Sequence, residues 1–264
     1  MMVVHVAISS GRVRSLIHRI REDLEPGLTL HTLTSDVDTN RTEAVFAGES
    51  SVALLAMERL IRLGFDRVSL PRHVGTHPRI GAVDGCWVIT DEPDRPELEV
   101  WNRLSTEFEV PLILDDVDAV DELHELGFGG ILGRPELSVH PKWGVLPAAR
   151  RPFYLTVHVE CDDLRGYSVQ RIARAVNGMS IEDPRFAGVY ALGFMLPSRE
   201  RSRLVLEFRK PDEAPPDPVL DWVNQRARDE QIRVHAREAI GVVRRVDLLE
   251  TRSVPIRPNQ IIDL

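Results

Sequence analysis

Cysteine is nearly absent. The 264 residues hold two, Cys86 and Cys161, far apart and with no C-x-x-C pair, which excludes a disulfide framework and a thiol-rich metal site. A basic excess is also missing. The formal net charge is -8 and the arginines are interspersed with acids, so nucleic acid, which needs a basic patch or stripe, is not expected as a partner. No apolar run approaches the roughly 18 residues of a membrane span. The opening MMVVHVAISSGRVRS has neither a basic n-region nor a long apolar stretch, so it is not expected to act as a signal peptide, and the expectation is a cytoplasmic protein. What is present is ordinary for a soluble globular chain: 43% hydrophobic and 28% charged residues, at a length that fills one domain or two.

The richest stretch is Pro71 to Asp84, PRHVGTHPRIGAVD, with His73, His77, Arg72, Arg79, Gly75, Gly81 and Asp84 close together. It cannot be a helix, because Pro78 removes a backbone donor and biases His77 toward an extended conformation. Gly75 and Gly81 give the freedom a loop needs near a ligand. His73 and His77 have the i, i+4 spacing of a two-histidine metal site, but that geometry needs the helix that Pro78 forbids, so no metal is expected. Two readings stay open on the residues alone. One is acid/base work by a histidine beside Arg79, with Asp84 to orient the ring. The other is a polar loop whose histidines cap neighbouring backbone.

Along the chain, Val3–Ile8 is expected to be a strand, Val13–Leu24 a helix ended by Pro26-Gly27, Leu28–Ser35 and Glu43–Ala47 two strands, and Ser50/Ser51 the start of a helix. That helix carries Val52, Leu55, Ala56, Leu60 and Leu63, with Ser as its N-cap. Ala82–Thr90 then completes β-α-β-β-α-β, the split βαβ pattern. Arg95–Phe108 reads as a helix, Val110–Leu114 as a buried strand and Val117–Leu126 as a helix, with Asp115, Asp116 and Asp118 at its start as capping residues rather than magnesium ligands. Residues 127–151 look like a long loop, part linker and part binding surface, with Trp143 exposed beside Lys142 in a setting that suits a flat anionic ligand. The second half repeats the pattern: strands at Phe153–Glu160, Ala187–Leu196, Arg203–Arg209 and Ile232–Ala236, and helices at Tyr167–Val176 and from Pro216. The fold expected is α/β (α+β): two ferredoxin-like βαββαβ subdomains with mixed sheets and helices on the outer faces, divided as residues 1–148 and 149–264.

His77-Pro78-Arg79-Ile80-Gly81-Ala82-Val83-Asp84 resembles the G-x-H-P-R-[MI]-G-A-[LV]-D signature of the glutamate formiminotransferases. Asp36-Val37-Asp38-Thr39-Asn40-Arg41-Thr42 is similar to that family's D-x-D and N-R-T segment, Pro141-Lys142-Trp143-Gly144 to the P-x-W-G closing its folate loop, and Arg257–Ile262 to its closing tail. Ser9, Gly11 and Arg12 match its first loop, where Ala7 and Ser10 replace an Asn and a Glu. The resemblance implies a short, divergent formimidoyltransferase of one-carbon metabolism and histidine degradation. It would move a formimino (or formyl) group between N-formiminoglutamate and tetrahydrofolate, without metal, as a homodimer. It also implies His77 as general acid/base with Arg79 and Asp38. Substrate contacts would come from His73, Asn40, Arg41, Asp84, Ser9, Gly11, Arg12, Pro141, Lys142, Trp143 and Gly144. The alternatives are a non-catalytic relative that binds folate or another anionic ligand, and a different small-molecule transferase on the same scaffold.

Overall fold

The computed structural model describes residues 1–24 and 27–263. Its contacts cluster into two units, Met1–Arg151 and Pro152–Leu264.

In the first unit, strand β1 (Met2–Ile8) leads into helix α1 (Arg14–Leu24), then the hairpin β2 (Leu28–Asp36) and β3 (Arg41–Gly48), helix α2 (Ser50–Arg67) and strand β4 (Val83–Ile89). β1 lies between β3 and β4 and is antiparallel to both, with β2 outside β3. That is the ferredoxin-like order, and it follows from two βαβ halves each leaving room for the other's strand. α1 stops at Leu24. Of the expected stop signal, Pro26 lies outside the described residues and Gly27 has φ 81°, the left-handed backbone glycine adopts at low cost.

Helix α3 (Pro96–Phe108), strand β5 (Leu112–Leu114), helix α4 (Val117–Leu132) and strand β6 (Leu146–Arg150) extend this sheet, with β6 parallel to both β4 and β5. β5 is shorter than Val110–Leu114 and is not buried, because it is the edge strand and pairs on one side only. α4 runs beyond Leu126 across a kink at Gly127 (φ 64°, ψ 175°), so the stretch from 127 to 151 is not one loop. Alternate residues of β1 (Met2, Val4, Val6, Ile8) share a core with Leu16 and Ile20 of α1, Met57, Leu60 and Ile61 of α2, and Trp101 and Leu104 of α3. Leu55 points away from that face and is 49% exposed. The N-cap of α2 is Glu49, not a serine: its carboxylate accepts from the Ser51 and Val52 N–H groups, the hydrogen bonds a cap must supply.

The second unit repeats the order with β7 (Leu155–Cys161), α5 (Tyr167–Glu182), β8 (Val189–Leu196), β9 (Arg201–Phe208), α6 (Pro216–Asp229) and β10 (Val234–Ile240), arranged β10-β7-β9-β8. A short parallel pair, β11 (Val243–Arg244) and β12 (Ile261–Ile262), closes the chain. Gln260 fixes this tail by donating to the carbonyls of Ala239 at 2.8 Å and Gly241 at 3.2 Å. The chain is thus α+β, with ferredoxin-like sheets in both units.

Candidate active site

Between α2 and β4 the chain makes one 3₁₀ turn, Leu70–Arg72, and then runs irregularly to Gly81. Three loops of the first unit are tied together here. Asn40, itself at φ 49°, accepts at Oδ1 from Gly11 N (2.8 Å) and donates from Nδ2 to the Val74 carbonyl (3.1 Å). Thr76 N donates to the Asp38 carbonyl at 3.0 Å, and His73 Nε2 donates to the Asn40 carbonyl at 3.0 Å. Ser9 Oγ donates to the Gly81 carbonyl at 2.7 Å, and Arg12 Nε to the Val37 carbonyl at 2.8 Å. Gly11 must be glycine, since a Cβ there would overlap the Asp36 carbonyl oxygen. Asn40, His73, Ser9 and Arg12 are thus engaged with backbone, and they shape the loops through those bonds.

The Pro141–Gly144 segment joins the same loop from the other side. Leu70 N donates to the Lys142 carbonyl (2.9 Å), Ala82 N to the Trp143 carbonyl (2.8 Å) and Val145 N to the Ile80 carbonyl (2.9 Å). Gly144 has φ 75°, and a Cβ on it would run into the Ile80 carbonyl. Trp143 is half-buried rather than exposed. Its ring lies 5.6 Å from both Phe65 and Phe108 and stacks 4.4 Å from His140. Apolar rings of α2 and α3 draw the indole inward, while Pro141 and Lys142 stay exposed, with Lys142 Nζ 4.4 Å over the indole. Sequence reasoning missed His140, whose Nδ1 accepts from both Lys142 N and Trp143 N at 3.1 Å. Its adjacency to the P-K-W-G run was the available signal.

Asp84, fully buried, is the centre of charge. Its Oδ1 accepts from Ile80 N (2.9 Å) and Gly81 N (3.3 Å), and Arg41 Nη1 donates to Oδ2 while Arg41 Nε reaches Glu43 at 2.8 Å. Burial alone would raise the Asp84 carboxyl, but His124, Arg41 and Arg79 outweigh it and hold the group well below the usual carboxylate range. Arg41 and Asp84 therefore form the ion pair that braces β3 against β4. Of the Asp115–Asp118 cluster, Asp115 pairs with Arg95 at 2.7 Å and Asp116 caps α4 through Ala119 N at 2.9 Å.

His77 Nδ1 lies 2.5 Å from the Pro78 carbonyl and 4.0 Å from Asp84 Oδ2. A carbonyl only accepts, so Nδ1 carries the hydrogen and Nε2 is the basic nitrogen. Burial, then the cations Arg41 and Arg79, push the His77 imidazole well below its ordinary value against the pull of Asp84, so it is neutral near pH 7. Its side chain still has 15% of its surface open. Arg79 donates from Nη1 to the His77 and Pro78 carbonyls (2.7 and 3.2 Å), yet its Nε and Nη2 are buried without an acceptor. That burial lowers the guanidinium to about 10.

Residues 1–93 match the family model of the formiminotransferase domain, N-terminal subdomain. The first 93 residues are thus similar to the N-terminal formiminotransferase subdomain. Over 240 residues it is 22% identical to glutamate formimidoyltransferase of Streptococcus pyogenes serotype M1, covering 82% of this chain and 79% of that protein. Over 224 residues it is 26% identical to formimidoyltransferase-cyclodeaminase of Sus scrofa, covering 74% of this chain and 41% of that longer protein. A 147-residue match at 26% identity joins it to formimidoyltransferase-cyclodeaminase of Dictyostelium discoideum, covering 51% of this chain and 27% of that protein. All three are named for formimidoyl transfer. The His77 loop and the Asp36–Thr42 hairpin fall inside the family match, while His124, His140 and Trp143 fall beyond its last residue.

Proposed function

We propose that the first unit transfers a formimino (or formyl) group between N-formiminoglutamate and tetrahydrofolate, with His77 as general acid and base. The observation that carries this reading is the setting of His77: a partly open imidazole with Nδ1 2.5 Å from the Pro78 carbonyl and 4.0 Å from Asp84 Oδ2, an arrangement that suits proton exchange at Nε2. The folate N5 attacks the formimino carbon, and Nε2 accepts the proton that N5 loses. The same nitrogen returns it to the glutamate nitrogen as the carbon–nitrogen bond to glutamate breaks. A depressed imidazole is a weak base but a good acid, so the return step gains most. The unsatisfied Nε and Nη2 of Arg79 supply donors suited to a substrate carboxylate, which a guanidinium can hold bidentately. Asp84 Oδ2, 4.0 Å from Nδ1, is a carboxylate at ion-pair distance from the ring, and Asp38 stays a candidate partner with it. Lys142 over Trp143 offers a cation beside a flat surface for the folate.

The test is a spectrophotometric assay with tetrahydrofolate and N-formiminoglutamate on wild type and His77→Ala. The expected loss in the variant is about 10²–10⁴-fold, with the fold and folate binding kept. Undiminished turnover in His77→Ala ends the assignment. Folate binding by calorimetry with no transfer in wild type would assign a ligand-binding relative instead, and neither would point to another small-molecule substrate.

A further inference from the structure

The outer strands of the two sheets are β2 and β5 in the first unit and β10 and β8 in the second. A sheet edge takes on the strand of another chain unless it is short, charged or covered. β5 has three residues, β2 carries Asp36, and β10 carries Arg237 and Glu238. β8, VYALGFML, has eight residues with neither a charge nor a proline. That is the composition of a segment that pairs with copies of itself.

The second unit covers this edge with its own helix. Asn177 of α5 holds Ala191 of β8 by both backbone groups: its Oδ1 accepts from Ala191 N at 2.7 Å, and its Nδ2 donates to the Ala191 carbonyl at 3.0 Å. Those are the two bonds that an antiparallel neighbour exchanges with the residue opposite it. Ala191 is paired in register with Leu206 of β9 and Gly193 with Leu204. Since Ala191 gives both groups to Asn177, they face away from β9, and the alternation of the ladder turns those of Gly193 to the same outer side. There the first turn of α5 comes so near that a Cβ on Gly193 would lie 2.7 Å from the Val169 carbonyl oxygen. Val169, Ile172, Ala173 and Val176 are buried along α5, and this packing fixes the helix, and with it the Asn177 amide, against the strand.

We propose that Asn177 is an edge clasp: its amide takes the place of a neighbouring strand and keeps β8 from pairing with the β8 of a second copy of this chain. A second copy is the partner that the open edge fits, because two β8 strands about a two-fold axis run antiparallel and bring no charge against each other. The clasp acts whether or not the chain transfers a formimino group.

The experiment measures the mass of the full chain by light scattering from about 1 μM to about 100 μM, a range in which unpaired edges associate, with wild type as the reference. Asn177→Ala opens the edge, and its average mass is expected to climb to at least about twice that of wild type. Adding Met195→Lys, which sets a charge at an exposed position of β8, is expected to restore the wild-type mass. Asn177→Asp keeps the size and one acceptor but sets a carboxylate against the Ala191 carbonyl, and it replaces the alanine variant if that chain does not fold. Amide hydrogen exchange reads the clasp itself: Ala191 N–H is expected to exchange at least about tenfold more slowly in wild type than in the variant. A variant with the wild-type mass throughout, a raised mass that Met195→Lys leaves unchanged, or equal exchange at Ala191 overturns the proposal.

Discussion

Both units set a carboxylate among arginines on or next to the first strand of a ferredoxin-like sheet, six-stranded in the first unit and four-stranded in the second, yet they place it differently. In the second unit Glu160 of β7 meets Arg199 at 2.6 Å, Arg203 at 2.8 Å and Arg201 at 3.7 Å, and the outer two arginines are 36% and 35% exposed. Water shares that charge, and the cluster resembles a braced surface. In the first unit Asp84 has no exposed surface, and two nitrogens of Arg79, one of the cations acting on it, are buried without hydrogen-bond partners. Buried polar groups left unsatisfied each cost about 1–3 kcal/mol. One topology thus carries a partly solvated ion cluster in one unit and, in the other, a buried carboxylate beside a guanidinium with two unsatisfied nitrogens, and unsatisfied groups mark where a ligand can supply what the fold does not.

The sharpest way to break that contrast is to neutralise each carboxylate. Asp84→Asn removes the fully buried counter-charge shared by Arg79 and by Arg41, which keeps only Glu43, and is expected to destabilise the first unit by about 3–5 kcal/mol. Glu160→Gln, two of whose three arginine partners reach solvent, is expected to cost less, about 1 kcal/mol. Urea unfolding read by Trp101 for one unit and Trp222 for the other measures both. Equal costs would mean that the two clusters are alike.

Glycine gives a smaller contrast. Gly144 is at φ 75° with the Ile80 carbonyl where a Cβ would go, so Gly144→Ala is expected to lose about 1–3 kcal/mol and to loosen the Trp143 segment from the His77 loop. Gly178 is an exposed position inside α5 with nothing near its missing Cβ. Gly178→Ala is expected to gain about 0.4–1 kcal/mol by restricting the unfolded chain. Thermal unfolding of the two variants should move in opposite directions, and a stable Gly144→Ala would show that the loop junction is not constrained.

The elements that the sequence made legible are those with a strong period: β1, α1, the β2–β3 hairpin and the inward faces of α3 and α6, where Trp101 and Leu104, and Leu220, Val223 and Ala227, are buried as spaced. Weak periods misled. β6 has one proline and two alanines in five residues, and its strand character comes from pairing with β4 and β5 rather than from propensity. At the site, the motif stretches were legible because their residue types are unusual together. His124 was not, because a lone histidine in VDELHELG reads as part of a solvated helix face. Its place beside Asp84 is a product of the chain crossing from α4 back to the sheet, which no local pattern encodes. Asn40, a ligand contact by the resemblance, also holds backbone of neighbouring loops at both ends of its amide, a role visible only once those loops meet.

A further effect concerns acid, and its sign separates His77 from its surroundings. His77 is held well below its ordinary value by burial and then by Arg41 and Arg79, whereas an unfolded chain protonates it near 6.5. Between those two values the unfolded state binds more protons, so stability rises with pH. The contribution is complete above about pH 6.5 and is lost as pH falls below it, at up to about 1.4 kcal/mol per pH unit. His73, lowered by burial and then by Arg79, acts in the same direction. Asp84, whose carboxyl is depressed, loses its contribution only below about pH 4, outside this window. Because other groups titrate here, the informative quantity is the stability of wild type minus that of His77→Gln, read by tryptophan fluorescence in a Trp222→Phe background. That difference is expected to grow from about pH 5 to about pH 6.5 and then to level off. A difference independent of pH would mean that His77 is not kept neutral by the fold, and the contrast between the two units would then rest on Asp84 and Arg79 alone.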